Sequence, residues 1–213
     1  MRRMLVLVMA AALAVALPGG GASASERSCA GKAARVLARG DEALAYRAAN
    51  GAYYGCLYRT GRSLFIRTAA LPLHNVRSHG PFVAFSIQRY VNGEDGSDQP
   101  AAVFSIGVCR RDGRRFKHVG ASGDAAVGDD PVTDLVLTRT GEIAWIAAPP
   151  EAGGEVRVMK ADASGGTTTV ATGTDIGVHS LRLRGRRLSW TRAGTREGER
   201  LRTRVSTCRP ARR

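Results

Sequence analysis

Lysine is nearly missing from this basic chain: 3 lysines accompany 29 arginines, against 18 acids, for a formal net charge of +14 over 213 residues. GC-rich coding produces the same bias, so the charge speaks to solubility and non-specific attraction before it speaks to a partner. Among the four cysteines, Cys29, Cys56, Cys109 and Cys208, no two are spaced C-x-x-C, which removes the usual zinc framework. There is no Gly-x-Ser-x-Gly, hence no nucleophile elbow. Gly31-Lys32 lacks the glycine five residues earlier and the hydroxyl residue after it, so no phosphate loop forms there. No apolar run reaches the roughly 20 residues that cross a bilayer. Beyond residue 24 no helix-length amphipathic segment occurs, and the one helix-like piece, Lys32 to Leu37, is short.

The longest apolar run, Leu5 to Leu17, has 13 residues; Arg2 and Arg3 precede it, and Pro18 and Ala22-Ser23-Ala24 follow. That order of basic, apolar and small-residue regions is the pattern of a cleaved export signal. Residues 1–24 are therefore expected to be a signal peptide and residues 25–213 one domain, secreted or held in the cell envelope, with no transmembrane segment in the mature chain. An even number of cysteines in an oxidising compartment predicts two disulfides.

What the chain does contain is a motif used four times. Leu44-Ala45-Tyr46, Val83-Ala84-Phe85, Ile143-Ala144-Trp145 and Leu188-Ser189-Trp190 each read aliphatic, small, aromatic. The aromatic of each lies four to six residues beyond a glycine: Gly40, Gly80, Gly141 and Gly185. The aromatic positions are 39, 60 and 45 residues apart, near the roughly 40–45-residue period of propeller blades. The long interval holds loops at 92–100 and 120–131. Strand-like runs at Val132 to Leu137, Glu142 to Ala147, Val156 to Met159 and Thr167 to Val170, joined by glycine-rich turns, complete one four-stranded antiparallel unit. The first and second repeats fit the same template, the second with an Asp112-Gly113 hairpin turn ahead of Phe116 to Val119. In the fourth, strands are expected at Leu181 to Arg184, Leu188 to Thr191 and Leu201 to Ser206, with no fourth strand. The fold class is thus all-β: four blade-like antiparallel units, propeller-like, small or partial, and disulfide-bonded.

Val178 to Trp190 and Tyr53 to Gly61 carry a resemblance. Strand, glycine, then aliphatic-small-aromatic resembles the blades of TolB-like and WD-type propellers, especially in the arginine- and alanine-rich secreted proteins of high-GC actinobacteria. It covers roughly residues 29–208 and implies architecture alone; the His and Asp signatures of WD repeats are absent. Propellers commonly close by an N-terminal strand completing the last blade, which removes exposed edges. The segment before Val36 would then bring Cys29 near Cys208. The rival arrangement joins Cys29 to Cys56 and Cys109 to Cys208, and both stay open.

No catalytic or metal-binding set emerges, and no cofactor is implied. Arg39-Gly40-Asp41 matches an integrin-binding tripeptide, but glycine and aspartate are ordinary turn residues there. Asn92 to Asp98 groups three carboxylates outside the calcium-loop register. His74, His79, His118 and His179 show no ligand spacing. The functional lead is charge. From His179 to Arg213 there are 12 arginines and only Glu197 and Glu199, whereas Ser25 to Val178 has 15 arginines and 3 lysines against 16 acids. Arg182 and Arg184 share a strand face, as Arg202 and Arg204 would, and guanidinium groups pair bidentately with phosphate or carboxylate. The expectation is a monomeric, non-enzymatic binding or scaffold module of the envelope or extracellular space. Its partner is an anionic cell-wall polymer or a protein, not nucleic acid. The alternative is a secreted polysaccharide hydrolase or lyase with paired carboxylates in the mouth of the repeats.

Overall fold

The computed structural model describes residues 24–67, 72–87, 102–107, 131–149, 152–161 and 167–202. Within them lie one short helix, α1 (Ala24–Ala30), and fourteen strands in four antiparallel sheets. The first sheet holds β1 (Arg35–Arg39), β2 (Ala43–Arg47), β3 (Tyr53–Leu57) and β4 (Arg62–Arg67) in chain order. The second holds β5 (Leu73–His79), β6 (Phe82–Ile87) and β7 (Ala102–Gly107). The third holds β8 (Val132–Leu137), β9 (Ile143–Ala147), β10 (Val156–Ala161) and β11 (Thr168–Gly173). The fourth holds β12 (Arg182–Arg184), β13 (Arg187–Arg192) and β14 (Thr195–Arg200). Each sequence repeat is one sheet, because strands linked by tight turns pair with their chain neighbours at little loop-closure cost.

The recurring motif occupies the second strand of every sheet. Tyr46, Phe85, Trp145 and Trp190 are 2 to 4% exposed, and Leu44, Val83, Ile143 and Leu188 are fully buried. Side chains alternate across a strand, so the small residue between them points to the opposite face. That alternation stacks the sheets. Val83, Phe85 and Ile87 pack on Ala43 and Ala45 of the first sheet. Trp145 and Ile143 share a core with Ala84 of the second. Trp190 and Leu188 share one with Ala144 and Ile146 of the third. Each aromatic thus fills the space that a small residue leaves in the preceding sheet, as close packing requires. The motif glycines shape the entry turn; Gly141 has φ 92°, and at Gly40 a side chain would run into the Ser78 backbone 2.8 Å away.

At the other end, among the described residues no sheet precedes Leu44 and Tyr46, and they pack beside Cys29 of α1 instead. A disulfide joins Cys29 to Cys56, both fully buried beside Leu44, Tyr46 and Tyr58. The pairing between neighbours in sequence is therefore the one that forms, and Cys29 does not join Cys208. The segment before Val36 is a helix covering the first sheet, not a strand completing the last. Lys32 to Leu37, the helix-like piece of sequence, is a turn running into β1. Cys109, Cys208, Arg204, residues 1–23, Phe116 to Val119 and the acidic loops lie outside the described residues.

The last repeat departs from expectation in one respect. Its third strand is β14, ahead of Leu201, and it follows β13 through a two-residue turn at Ala193 and Gly194, with φ 45° and 78°. Such a turn matches strand twist, but alanine adopts left-handed backbone reluctantly, and no Asn-Gly pair marks the turn.

Candidate functional site

Charge in the fourth sheet is sorted by face. Cross-strand partners run Arg182, Ser189, Gly198 in one row and Arg184, Arg187, Arg200 in the next; Thr191 stands opposite Arg196. Partners in a row share a face, and residues two apart along a strand do too. All five arginines are exposed on this outward face, around Ser189, Thr191 and Gly198. The opposite face is turned to the third sheet and carries Leu188 and Trp190 together with both acids of the repeat. Glu197 accepts the Trp190 indole N–H at 3.0 Å, and Glu199 pairs with Lys160 of β10. Arg192, also inward, lies 3.7 Å from Asp175 and 3.6 Å from Glu197.

The alternation Arg196-Glu197-Gly198-Glu199-Arg200 therefore separates the two signs. Among the described residues none of the five outward arginines has a carboxylate partner; Arg182 donates to the Leu181 carbonyl at 2.8 Å. A cleft of about 490 Å³ opens between Arg184, Arg186, Arg187, Gly198, Glu199 and Arg200. Glu199 borders it with its carboxylate already engaged by Lys160. Of the four arginines singled out in sequence, Arg182 and Arg184 stand together on this face. Arg202 follows the end of β14, and Arg204 lies outside the described residues. Arg196 and Arg200 were missed because a polar strand has no hydrophobic alternation to mark its register; Arg187 was overlooked although it alternates with Leu188 and Trp190.

A second groove of about 520 Å³ runs across β5, β8 and β12, the first strands of the last three sheets, past Arg77, His79, Asp134, Leu181 and Arg182. Asp134 is its carboxylate among the described residues, and the aspartate works as a clasp. One oxygen accepts the Leu135 N–H at 2.9 Å and faces Arg77 at 3.9 Å, while the other accepts the Leu181 N–H at 3.0 Å. Two histidines also bridge sheets. His79 Nδ1 is 3.1 Å from the Leu137 carbonyl, and His179 Nδ1 is 3.0 Å from that of Thr133. A carbonyl only accepts, so each ring must carry its proton on Nδ1. No group of three metal-ligating side chains forms among the described residues.

The Arg39-Gly40-Asp41 turn is likewise occupied. Asp41 accepts the Gly80 N–H at 2.7 Å and lies 3.6 Å from Arg139, which also pairs with Glu42. Partial burial pushes the Asp41 carboxyl up, but the hydrogen bond from Gly80 and the Arg139 charge outweigh it and hold the group below its ordinary value. The tripeptide ties the first sheet to the second and third.

These features define an all-β chain of several antiparallel sheets with one described disulfide. No protein-family model matches the chain, and no curated protein matches it significantly. Solved structures do. The β-propeller domain of the Trilobed protease from Pyrococcus furiosus, described as having an open velcro topology, is 18% identical over 56% of this chain and 34% of its own, with a TM-score of 0.37. A complex of KlAtg21 with the coiled-coil of AgAtg16 gives 10% identity over 78% and 51%, with a TM-score of 0.47. The computationally designed Ika4 protein gives 13% over 78% and 91%, with a TM-score of 0.41. The chain thus spans about a third of the first and half of the second.

Proposed function

We propose that the chain is a secreted, non-enzymatic binding or scaffold module of the cell envelope or extracellular space. In this reading it is built from four blade-like units in a propeller-like arrangement, with residues 1–24 removed on export. Its ligand is an anionic polymer held on the outward face of the fourth sheet. One observation carries the reading: five exposed arginines share that face, while both acids of the repeat are turned inward. A surface selected only for solubility mixes the two signs. Guanidinium forks facing outward with no carboxylate partner among the described residues can bind carboxylate or phosphate without first giving up an ion pair. The hydrolase alternative needs a pair of close carboxylates, and nothing in the described groove favours it.

The test is retention on an anionic cell-wall matrix. Binding is expected to weaken steeply as salt rises from about 0.05 to 0.5 M, because mobile ions screen exposed charges. Changing Arg182, Arg184, Arg187, Arg196 and Arg200 together to Gln should abolish it, with the melting temperature nearly unchanged. Retention by the quintuple variant equal to that of the native chain would sink the proposal.

A further inference from the structure

We infer that the arginine face is built for phosphoryl groups, and that its ligand is a linear phosphate-bearing polymer rather than a carboxylate glycan. The inference rests on the anion-binding reading above and concerns the shape of that same face. Arg184, Arg187 and Arg200 form one row across three strands. Arg182 flanks the next row on β12, and Arg196 lies diagonally beyond it on β14. What they surround is low: Gly198 has no side chain, and Ser189 and Thr191 offer short hydroxyls. The result is a horseshoe of long cations around a shallow, hydroxyl-bearing floor.

Adjacent strands are about 4.8 Å apart, and alternate residues on one strand about 6.8 Å. Neighbouring guanidinium groups are thus close enough for one anion to meet two or three of them. A carboxylate is planar, with two oxygens, and a single guanidinium fork satisfies it. A phosphoryl group is tetrahedral, so its oxygens diverge and accept from several directions at once. Donors carried side by side on three strands, with hydroxyls beneath, suit the tetrahedral group.

Two features of the surface select a polymer over other phosphate sources. The large hydrophobic side chains that are exposed among the described residues, Val36 and Phe65, belong to the first sheet. The arginine face therefore offers no apolar side chain to enter a bilayer, as interfacial binding requires. It also carries no aromatic ring on which a nucleic-acid base could stack. A thin chain with one phosphate per short repeat fits the floor between the arginines.

The experiment compares the native chain's affinity for poly(glycerol phosphate) with that for polygalacturonate of matched charge and length, at about 0.15 M salt. The expected preference for the phosphate polymer is at least tenfold. Arg184→Lys, Arg187→Lys and Arg200→Lys together keep the charge and remove the forks, and should erase the preference by weakening the phosphate polymer far more than polygalacturonate. Ser189→Leu fills the floor and leaves all five arginines in place, with the same expected result. Should either variant fail to fold, the other stands alone, and the native comparison needs neither. Equal native affinities, or a preference surviving both changes, would overturn the phosphoryl inference and leave the anion-binding proposal intact. Binding of neither polymer would overturn both. Tighter binding to phosphatidylglycerol vesicles or single-stranded nucleic acid than to poly(glycerol phosphate) would overturn the polymer assignment.

Discussion

The third and fourth sheets carry the same motif in the same place, yet their far faces have opposite character. On the third, Val136 stands opposite Ala144 and Ile146 opposite Val158, and all four pack in the core shared with the fourth sheet. On the fourth, the matching positions are Arg182 opposite Ser189 and Thr191 opposite Arg196. Relative to Trp145 and Trp190 the correspondence is residue for residue. The aromatic triplet therefore builds the sheet and seats it on its predecessor, while the residues alternating with it determine whether another sheet can follow. A sheet face exposed to solvent needs polar side chains. Polarity alone does not require one sign of charge, and that unmixed sign is what sets this face apart from a solubilising cap.

Exchanging the two faces gives the largest effect. Val158 is fully buried, so Val158→Arg should cost about 3–5 kcal/mol, whereas Arg196→Val at the matching position should change stability by less than about 0.5 kcal/mol. Paired urea titrations measure both; equal costs would break the comparison. The opposite end of the stack is sharpened by Cys29→Ser. It opens a cross-link over 27 residues, and a loss of about 3 kcal/mol is expected, with the first sheet losing hydrogen-exchange protection before the third. Uniform loss across all sheets would show that α1 does not act as a local cover.

The smallest effect concerns the turn contacts between sheets. The Asp41 pKa is lowered in the folded chain, so its contribution is complete above the ordinary carboxylate value near 3.8 and is lost as pH falls through the lowered one. Asp41→Asn should therefore be less stable than the native chain at pH 7 and converge with it as pH falls below the ordinary carboxylate value and through the lowered one. With the side chain 49% exposed, the difference at pH 7 should stay below about 1 kcal/mol. Thermal melts from pH 2 to 7 would show it, and a gap that widens with acid would refute the assignment.

Much of the sheet layout was legible because apolar alternation reports strand faces directly. Val132 to Leu137 and Val156 to Met159 fell where the structure has β8 and β10. The strand that pairs with β13, Thr195 to Arg200, was not anticipated, and the one expected at Leu201 to Ser206 lies mostly outside the described residues. Thr195 to Arg200 contains no hydrophobic residue and turns through an alanine, so neither its existence nor its register leaves a mark in hydrophobicity. The candidate face was legible only in part for the same reason: Arg182 and Arg184 alternate with Leu181 and Leu183, while Arg196 and Arg200 alternate with glutamates.

From the amino-acid order alone came four glycine-led, aromatic-bearing sheets and the concentration of positive charge in the last of them. Both are local properties, set by strand periodicity and by counting. Folding in three dimensions decided that Cys29 reaches Cys56, that a helix covers Tyr46, and that Glu197 and Glu199 turn toward Trp190 and Lys160. Those outcomes depend on which surfaces meet across the stack, and a charged strand reveals its inner side only when a neighbour is packed against it.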